Sequence, residues 1–171
     1  MNVSDQNVSR VERDVPDRPY GRSLPMLLMR SREAVMSRIR PHLRSHGLTD
    51  QQWRILRALA GEEHLELLDL SQRCLIAPPS LSRTVPALTE RGLVAREDHP
   101  TDRRRALISL TEQGRELFEQ VSLGSAQIYE QIRAEIGEEK VDEIYAMLIN
   151  LIDVLEGNGQ DGDAPYSGED A

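Results

Sequence analysis

Arg-Glu-Asp-His-Pro-Thr-Asp-Arg-Arg-Arg-Ala-Leu-Ile-Ser-Leu-Thr-Glu-Gln-Gly, residues 96–114, is the stretch on which the fold turns. Val94-Ala95-Arg96-Glu97 and Arg105-Ala106-Leu107-Ile108-Ser109 read as two short strands joined by a polar loop. The loop from His99 to Arg105 gathers Arg103, Arg104 and Arg105 at its tip, beside Asp102. An extended tip carrying guanidinium groups suits the minor groove of a nucleic-acid duplex, whose negative potential attracts arginine. Thr111 then caps a long helix reaching about Glu135, with Leu117, Val121, Ile128 and Ile132 along it.

Upstream of the hairpin, short helices follow one another closely. Thr49-Asp50-Gln51-Gln52 is a capping box, and the helix it opens is expected to bury Trp53, Leu56, Leu59 and Ala60 before Gly61 stops it. A shorter helix, about Leu67 to Cys74, packs through Leu70 and Cys74. After a tight connection comes a helix from Ala77 to Arg91, with Pro78 and Pro79 in its first turn and Gly92-Leu93 closing it in the Schellman manner. The last two have the proportions of a helix-turn-helix, whose second helix places its N-terminal residues in the major groove. That segment offers Ser80, Ser82, Arg83 and Thr84: hydroxyls for phosphates and base edges, and a guanidinium able to fork onto guanine. Leu81, Val85 and Leu88 form the core-facing stripe. Pro86 lies mid-helix, so a kink or loosened turn is expected at Ser82–Pro86, with the groove-facing end intact.

Outward again, the first helix runs from about Ser23 to His46, with Leu24, Leu27, Leu28, Ser31, Val35 and Ile39 on one stripe. Pro41 should turn its last residues into an irregular turn. The last helix, after Gly137, shows Val141, Ile144, Tyr145, Leu148, Leu151, Ile152 and Leu155, a seam of heptad type that calls for a partner surface, either elsewhere in the same chain or, the reading favoured here, in a second copy forming a homodimer. Residues 1–22 and 157–171 are polar and lack periodicity, and read as disordered tails.

Composition fits this plan. The 171 residues suffice for one domain with a real core, no apolar run approaches a membrane span, and the start is unlike a secretory signal. The net charge is −8, but residues 1–115 hold 19 arginines against 15 acids and residues 116–171 hold two bases against 14 acids. A basic front and an acidic back suggest one face for a polyanion and another for solvent or a partner, although a coding bias toward arginine would give part of the same pattern, so charge alone decides nothing. Cys74, the single cysteine, excludes an internal disulfide and fits a reducing, cytoplasmic setting. On the inner stripe of its helix it reads as a small buried hydrophobe rather than a redox sensor.

In this order, the motifs resemble those of the MarR winged-helix regulators over roughly Leu24 to Leu155. Residues 96–114 match the family's wing signature of Asp-x-Arg followed by an alternating strand and Leu-Thr-x-x-Gly, and Pro79–Arg83 matches the start of its recognition helix. The resemblance implies a mainly α winged helix-turn-helix with a small β-hairpin wing over residues 23–156. Residues 47–110 would be the DNA-binding lobe, and 23–46 and 111–156 the dimerisation helices. It implies double-stranded DNA with a palindromic operator as partner, Asp102 orienting the wing through an ion pair, and Arg104 in the minor groove. Arg32-Glu33-Ala34, Met36-Ser37, Arg40-Pro41 and Leu48–Ile55 are similar to the branch that represses homoprotocatechuate (4-hydroxyphenylacetate) degradation operons.

That branch implies a repressor released by a small aromatic carboxylate. Such an effector needs a guanidinium or imidazole for its charge and an apolar wall for its ring. Arg32, Met36, Arg40, His42, Trp53 and Arg54 could supply these, although Trp53 could equally be plain core and the arginines surface ion-pair partners. His42 and His46 have the i, i+4 spacing of metal ligands, but no cysteine, histidine or carboxylate cluster completes a set, so neither metal nor cofactor is expected. No phosphate loop, nucleophile elbow or HExxH motif suggests catalysis. A stress- or antibiotic-response regulator with another signal, and a DNA-independent interaction protein, stay open as alternatives.

Overall fold

The computed structural model describes residues 23–157, so the expected tails, apart from Gly157, lie outside the described residues. The elements are α1 (Leu24–Ser45), α2 (Asp50–Ala60), β1 (Leu65–Glu66), α3 (Leu67–Cys74), α4 (Pro78–Glu90), β2 (Val94–His99), β3 (Asp102–Leu110), α5 (Glu112–Ile136) and α6 (Glu138–Glu156). The chain divides into two compact units, with the boundary between Arg38 and Ile39. In the first, the opening turns of α1 leave Leu24, Leu27, Leu28 and Met29 exposed.

The second unit is built on α2. Its capping box forms as expected: the Gln52 amide donates to the Thr49 hydroxyl at 3.2 Å, and the Thr49 amide donates to the Gln52 side chain at 3.0 Å. Trp53, Ile55, Leu56 and Leu59 are buried, while Ala60 is only half-buried. Around α2 pack α3, α4, β3 and α5. The core is aliphatic: Ile39, Leu43, Leu70, Leu81, Leu88, Ile108 and Val121 are all but sealed from water. Each such side chain contributes roughly 1.5–3 kcal/mol by leaving water.

Both internal prolines are tolerated. Pro41 lies inside α1, which stays helical to Ser45, so the irregular turn expected there does not occur. Ile39 and Leu43, flanking Pro41, are both buried and hold the last turn in place, while the proline ring faces outward. Pro86 likewise does not break α4, which runs from Pro78 to Glu90. A mid-helix proline costs about 3 kcal/mol in an unadapted helix. The buried stripe Leu81, Val85, Leu88 spans the lesion and outweighs it.

The small sheet is antiparallel with order β1-β3-β2. The third strand, β1, is a correction to the hairpin reading: Leu65 pairs with Ile108 and Glu66 with Leu107. Two residues are too few to show an alternating pattern, so only tertiary pairing reveals them. The other strands are longer than expected, leaving Pro100 and Thr101 as the turn. The arginines therefore belong to β3 and not to the loop. Pairing passes from Asp98↔Ala106 to His99↔Asp102, so Arg103, Arg104 and Arg105 are accommodated opposite a single step of β2. Such a bulge re-aims side chains at a strand's end.

The start of α5 explains Leu-Thr-x-x-Gly. The Thr111 hydroxyl donates to the Gly92 carbonyl at 2.6 Å and accepts from the Gly114 amide at 3.0 Å, and the Thr111 amide donates to the Leu93 carbonyl at 3.2 Å. One threonine thus caps the long helix and ties it to the exit of α4. At the other end of the chain, α6 packs on α5 and buries Val141, but Ile144, Tyr145, Leu148, Ile152 and Leu155 of its seam are exposed in the single chain.

Candidate nucleic-acid interface

Because Leu81, Val85 and Leu88 face the core, helical spacing assigns the opposite face of α4 to Pro79, Ser82, Arg83 and Pro86, all of them exposed. Ser80 and Thr84 sit on the flank and are half-buried, and the Thr84 hydroxyl donates to the Ser80 carbonyl at 2.9 Å. Of the four residues expected on the reading helix, the structure brings Ser82 and Arg83 together on the open face. Pro79 and Pro86 join them there. The leucine–valine stripe already contained that information, since residues three and four apart share a helix side.

The turn that positions α4 is held from behind by Arg54. Its Nη1 donates to the Cys74 carbonyl at 2.7 Å and to the Leu75 carbonyl at 3.3 Å, and the Cys74 thiol approaches the Arg54 carbonyl at 3.4 Å. Leu75 adopts the left-handed conformation, φ 48°, that a glycine would ordinarily supply at a helix end. Ser71 completes the turn by donating to the Ile76 carbonyl at 2.7 Å. Cys74 is buried, and burial pushes its thiol up to about 11 against the pull of Arg54. At neutral pH it is protonated and a poor nucleophile.

On the wing, Arg105 reaches across the sheet to β1. Its Nε donates to Glu66 Oε2 at 2.6 Å and its Nη2 to Oε1, a bidentate pair, while His99 Nε2 stands 4.0 Å from Glu66. The bond to Glu66 raises the Arg105 pKa further, with Asp102 and Asp69 acting in the same direction. Arg105, expected at the tip with its neighbours, is thus tied to the sheet and braces the wing's base. The sequence carries no sign of Glu66, which is 39 residues away from its partner.

The effector candidates divide. Arg40 Nε donates to Asp50 Oδ2 at 3.0 Å, and both line a cavity of about 360 Å³ with Arg44, Leu48, Thr49 and Gln51. Trp53 is buried and stacks on Phe118, ring centroids 5.5 Å apart. Arg54 serves the turn. Arg32 and Met36 belong to the first unit, where Arg32 is exposed and Met36 half-buried. His42 Nε2 donates to the Val121 carbonyl at 3.0 Å, and its ring lies against Gly124. His46 Nδ1 donates to the His42 carbonyl at 3.0 Å, and the two rings meet edge to face. Among the described residues no group of three or more metal-ligating side chains occurs.

A Cβ on Gly124 would lie 2.2 Å from His42 Cε1. Gly124→Ala should therefore displace the imidazole and break its bond to Val121, a loss of roughly 1–3 kcal/mol in chemical denaturation. Combining it with His42→Ala should recover most of the steric part. Additive losses would show that the ring is not what the methyl meets.

Comparison with known proteins agrees with this geometry. The MarR family model matches residues 46–105, which hold α2, the helix pair and most of the wing. The chain is 36% identical over 147 residues to the homoprotocatechuate degradative operon repressor of Escherichia coli, covering 86% of this chain and 98% of that one. Among solved structures it is similar to transcriptional regulator PA4135, with TM-score 0.73, 37% identity and coverage of 78% and 96%. It is also similar to NadR in complex with 4-hydroxyphenylacetate, with TM-score 0.67, 34% identity and coverage of 80% and 97%. No helix among the described residues is long and apolar enough to cross a membrane. With a helix-turn-helix, an arginine-bearing wing and relatives matched along nearly their whole length, the chain belongs to the MarR family of DNA-binding transcription regulators and is not an enzyme.

Proposed function

We propose that this protein is a cytoplasmic repressor of an aromatic-acid catabolic operon, released from a palindromic operator by a phenolic carboxylate. Two copies would join through the open seam of α6, whose Ile144, Leu148, Ile152 and Leu155 gain most by meeting a second apolar surface. The two-fold axis would set the pair of α4 helices about one DNA turn apart. Ser82 and Arg83 would read the major groove, with Ser80 and Thr84 towards the phosphates. Asp102, Arg103 and Arg104 would serve the minor groove, and Arg105 would support them through Glu66. For the effector, Arg40 is the candidate with space beside it, and Arg32 and Met36 precede it along α1 at four-residue spacing. His42, Trp53 and Arg54 would act from behind, since each is already engaged in the interior. Effector binding would favour a dimer state whose readers no longer match the operator.

The observation that carries this reading is the exposed face of α4 beside a braced, arginine-bearing wing, in a chain with a close relative that represses homoprotocatechuate degradation. Two measurements test it. Arg104→Ala should weaken operator binding on the order of tenfold or more while fold and oligomeric state are retained. Unchanged affinity would favour the DNA-independent alternative. Thermal-shift screening with 4-hydroxyphenylacetate and homoprotocatechuate should show stabilisation, and the active compound should release DNA in a gel shift. A protein that responds to neither acid would be a regulator with another signal.

A further inference from the structure

We propose that Pro86 is a specificity-determining residue that reads the 5-methyl group of thymine in the operator's major groove. The inference rests on the reading of α4 as the groove helix. Pro86 follows Ser82 by four residues and Arg83 by three, so it shares their exposed face, while Leu81, Val85 and Leu88 occupy the opposite side. It is explained neither by the helix start, as Pro78 and Pro79 are, nor by core packing, since it is exposed. In the middle of α4 it deprives the Ser82 carbonyl of its usual amide donor. What it adds is an apolar ring beside the Ser82 hydroxyl and the Arg83 guanidinium, about two turns further along the helix than Pro79, which the helix start already explains.

The major groove offers donors and acceptors at every base pair but only one apolar group, the thymine methyl. A pyrrolidine ring has no donor or acceptor to present to a base edge and matches that methyl alone. Arg83 would fork onto guanine nearby, so one turn of α4 would distinguish a G·C pair from an A·T pair.

The test begins with full-length protein and a pool of random-sequence duplexes, from which the preferred duplex is recovered by rounds of selection. Each thymine in that duplex is then replaced singly by deoxyuridine, which removes the methyl and leaves base pairing unchanged. At one thymine in each half-site the wild-type protein should bind about fourfold more weakly, the worth of one methyl group leaving water. Pro86→Ala, which keeps Cβ but lacks Cγ and Cδ, should bind the thymine and deoxyuridine duplexes equally at that position. It should melt no lower than wild type, since it restores a helix-interior amide. Tolerance of deoxyuridine everywhere, or the same penalty in Pro86→Ala, would overturn the assignment of Pro86 while leaving α4 as the reader. Recovery of no preferred duplex would instead remove the groove-helix reading and the Pro86 proposal with it.

Discussion

Gly114→Ala is expected to abolish the stable fold, with a loss of at least about 3 kcal/mol, because the added methyl has nowhere to go. An ideal Cβ at this position lies 1.9 Å from the Leu93 carbonyl oxygen and 2.9 Å from its carbon, both backbone atoms, and 3.3 Å from a Leu110 methyl. A side chain could swing aside, but the Leu93 carbonyl is held by the Thr111 amide, and Leu93 is itself buried. To make room, the first turn of α5 would have to withdraw from Leu93. That motion would pull the Gly114 amide off the Thr111 hydroxyl and disturb the bond from Thr111 to Gly92. Since Gly92 and Leu93 also close α4, that helix would lose its terminator along with the start of the wing. Urea denaturation followed by circular dichroism measures the effect. Wild-type stability in this variant would mean that α5 is not seated on the Leu93 carbonyl.

Trp53→Ala should cost roughly 3–5 kcal/mol, the usual range for truncating a buried large aromatic. Trp53 is 5% exposed and its ring stacks on Phe118, so it joins α2 to α5, the helix that carries on from the wing. Removing it leaves a cavity under the helix-turn-helix and a Phe118 without its ring partner. Trp53→Phe should retain the stacking and more than half of the stability. It also separates the two roles considered for this residue. If Trp53 serves only the core, Trp53→Phe should respond to 4-hydroxyphenylacetate as wild type does in the thermal-shift assay. A lost response in a well-folded Trp53→Phe protein would place the indole at the effector instead.

Much of the candidate site was legible in the chain because its signals are local. The stripe Leu81, Val85, Leu88 shows which side of α4 is buried, and therefore that Ser82, Arg83 and Pro86 share the open side. Thr49 with Gln52 and Thr111 with Gly114 mark two helix starts through contacts three residues apart. Less visible were effects in which a distant contact outweighs a local preference. Pro41 signals an irregular turn, yet burial of Ile39 and Leu43 keeps the segment helical. Leu75 has no preference for a left-handed backbone. It is held so by the turn around it, with the Arg54 guanidinium on the adjacent carbonyls.

The effector residues were the hardest to place, for the same reason. A guanidinium in the sequence names a charge but not the oxygen that answers it. Arg40 meets Asp50 beside a cavity, Arg54 meets two backbone carbonyls and Arg105 meets Glu66. Those three destinations follow from how helices and strands pack, since a long flexible side chain can serve any acceptor within its reach.

By itself, the order of residues determined the helix-turn-helix, the hairpin, the capped long helix and the apolar seam, because each follows from spacing of two to four residues along the backbone. Tertiary structure alone decided the pairing of Leu65–Glu66 with β3, the bulge that takes up the arginine run, and the partners of each guanidinium. Leu65 lies 43 residues from Ile108, Arg54 20 from Cys74 and Arg105 39 from Glu66, and proximity of that kind exists only once the core has closed; the bulge is local, but its register is set by how β3 is paired on both sides.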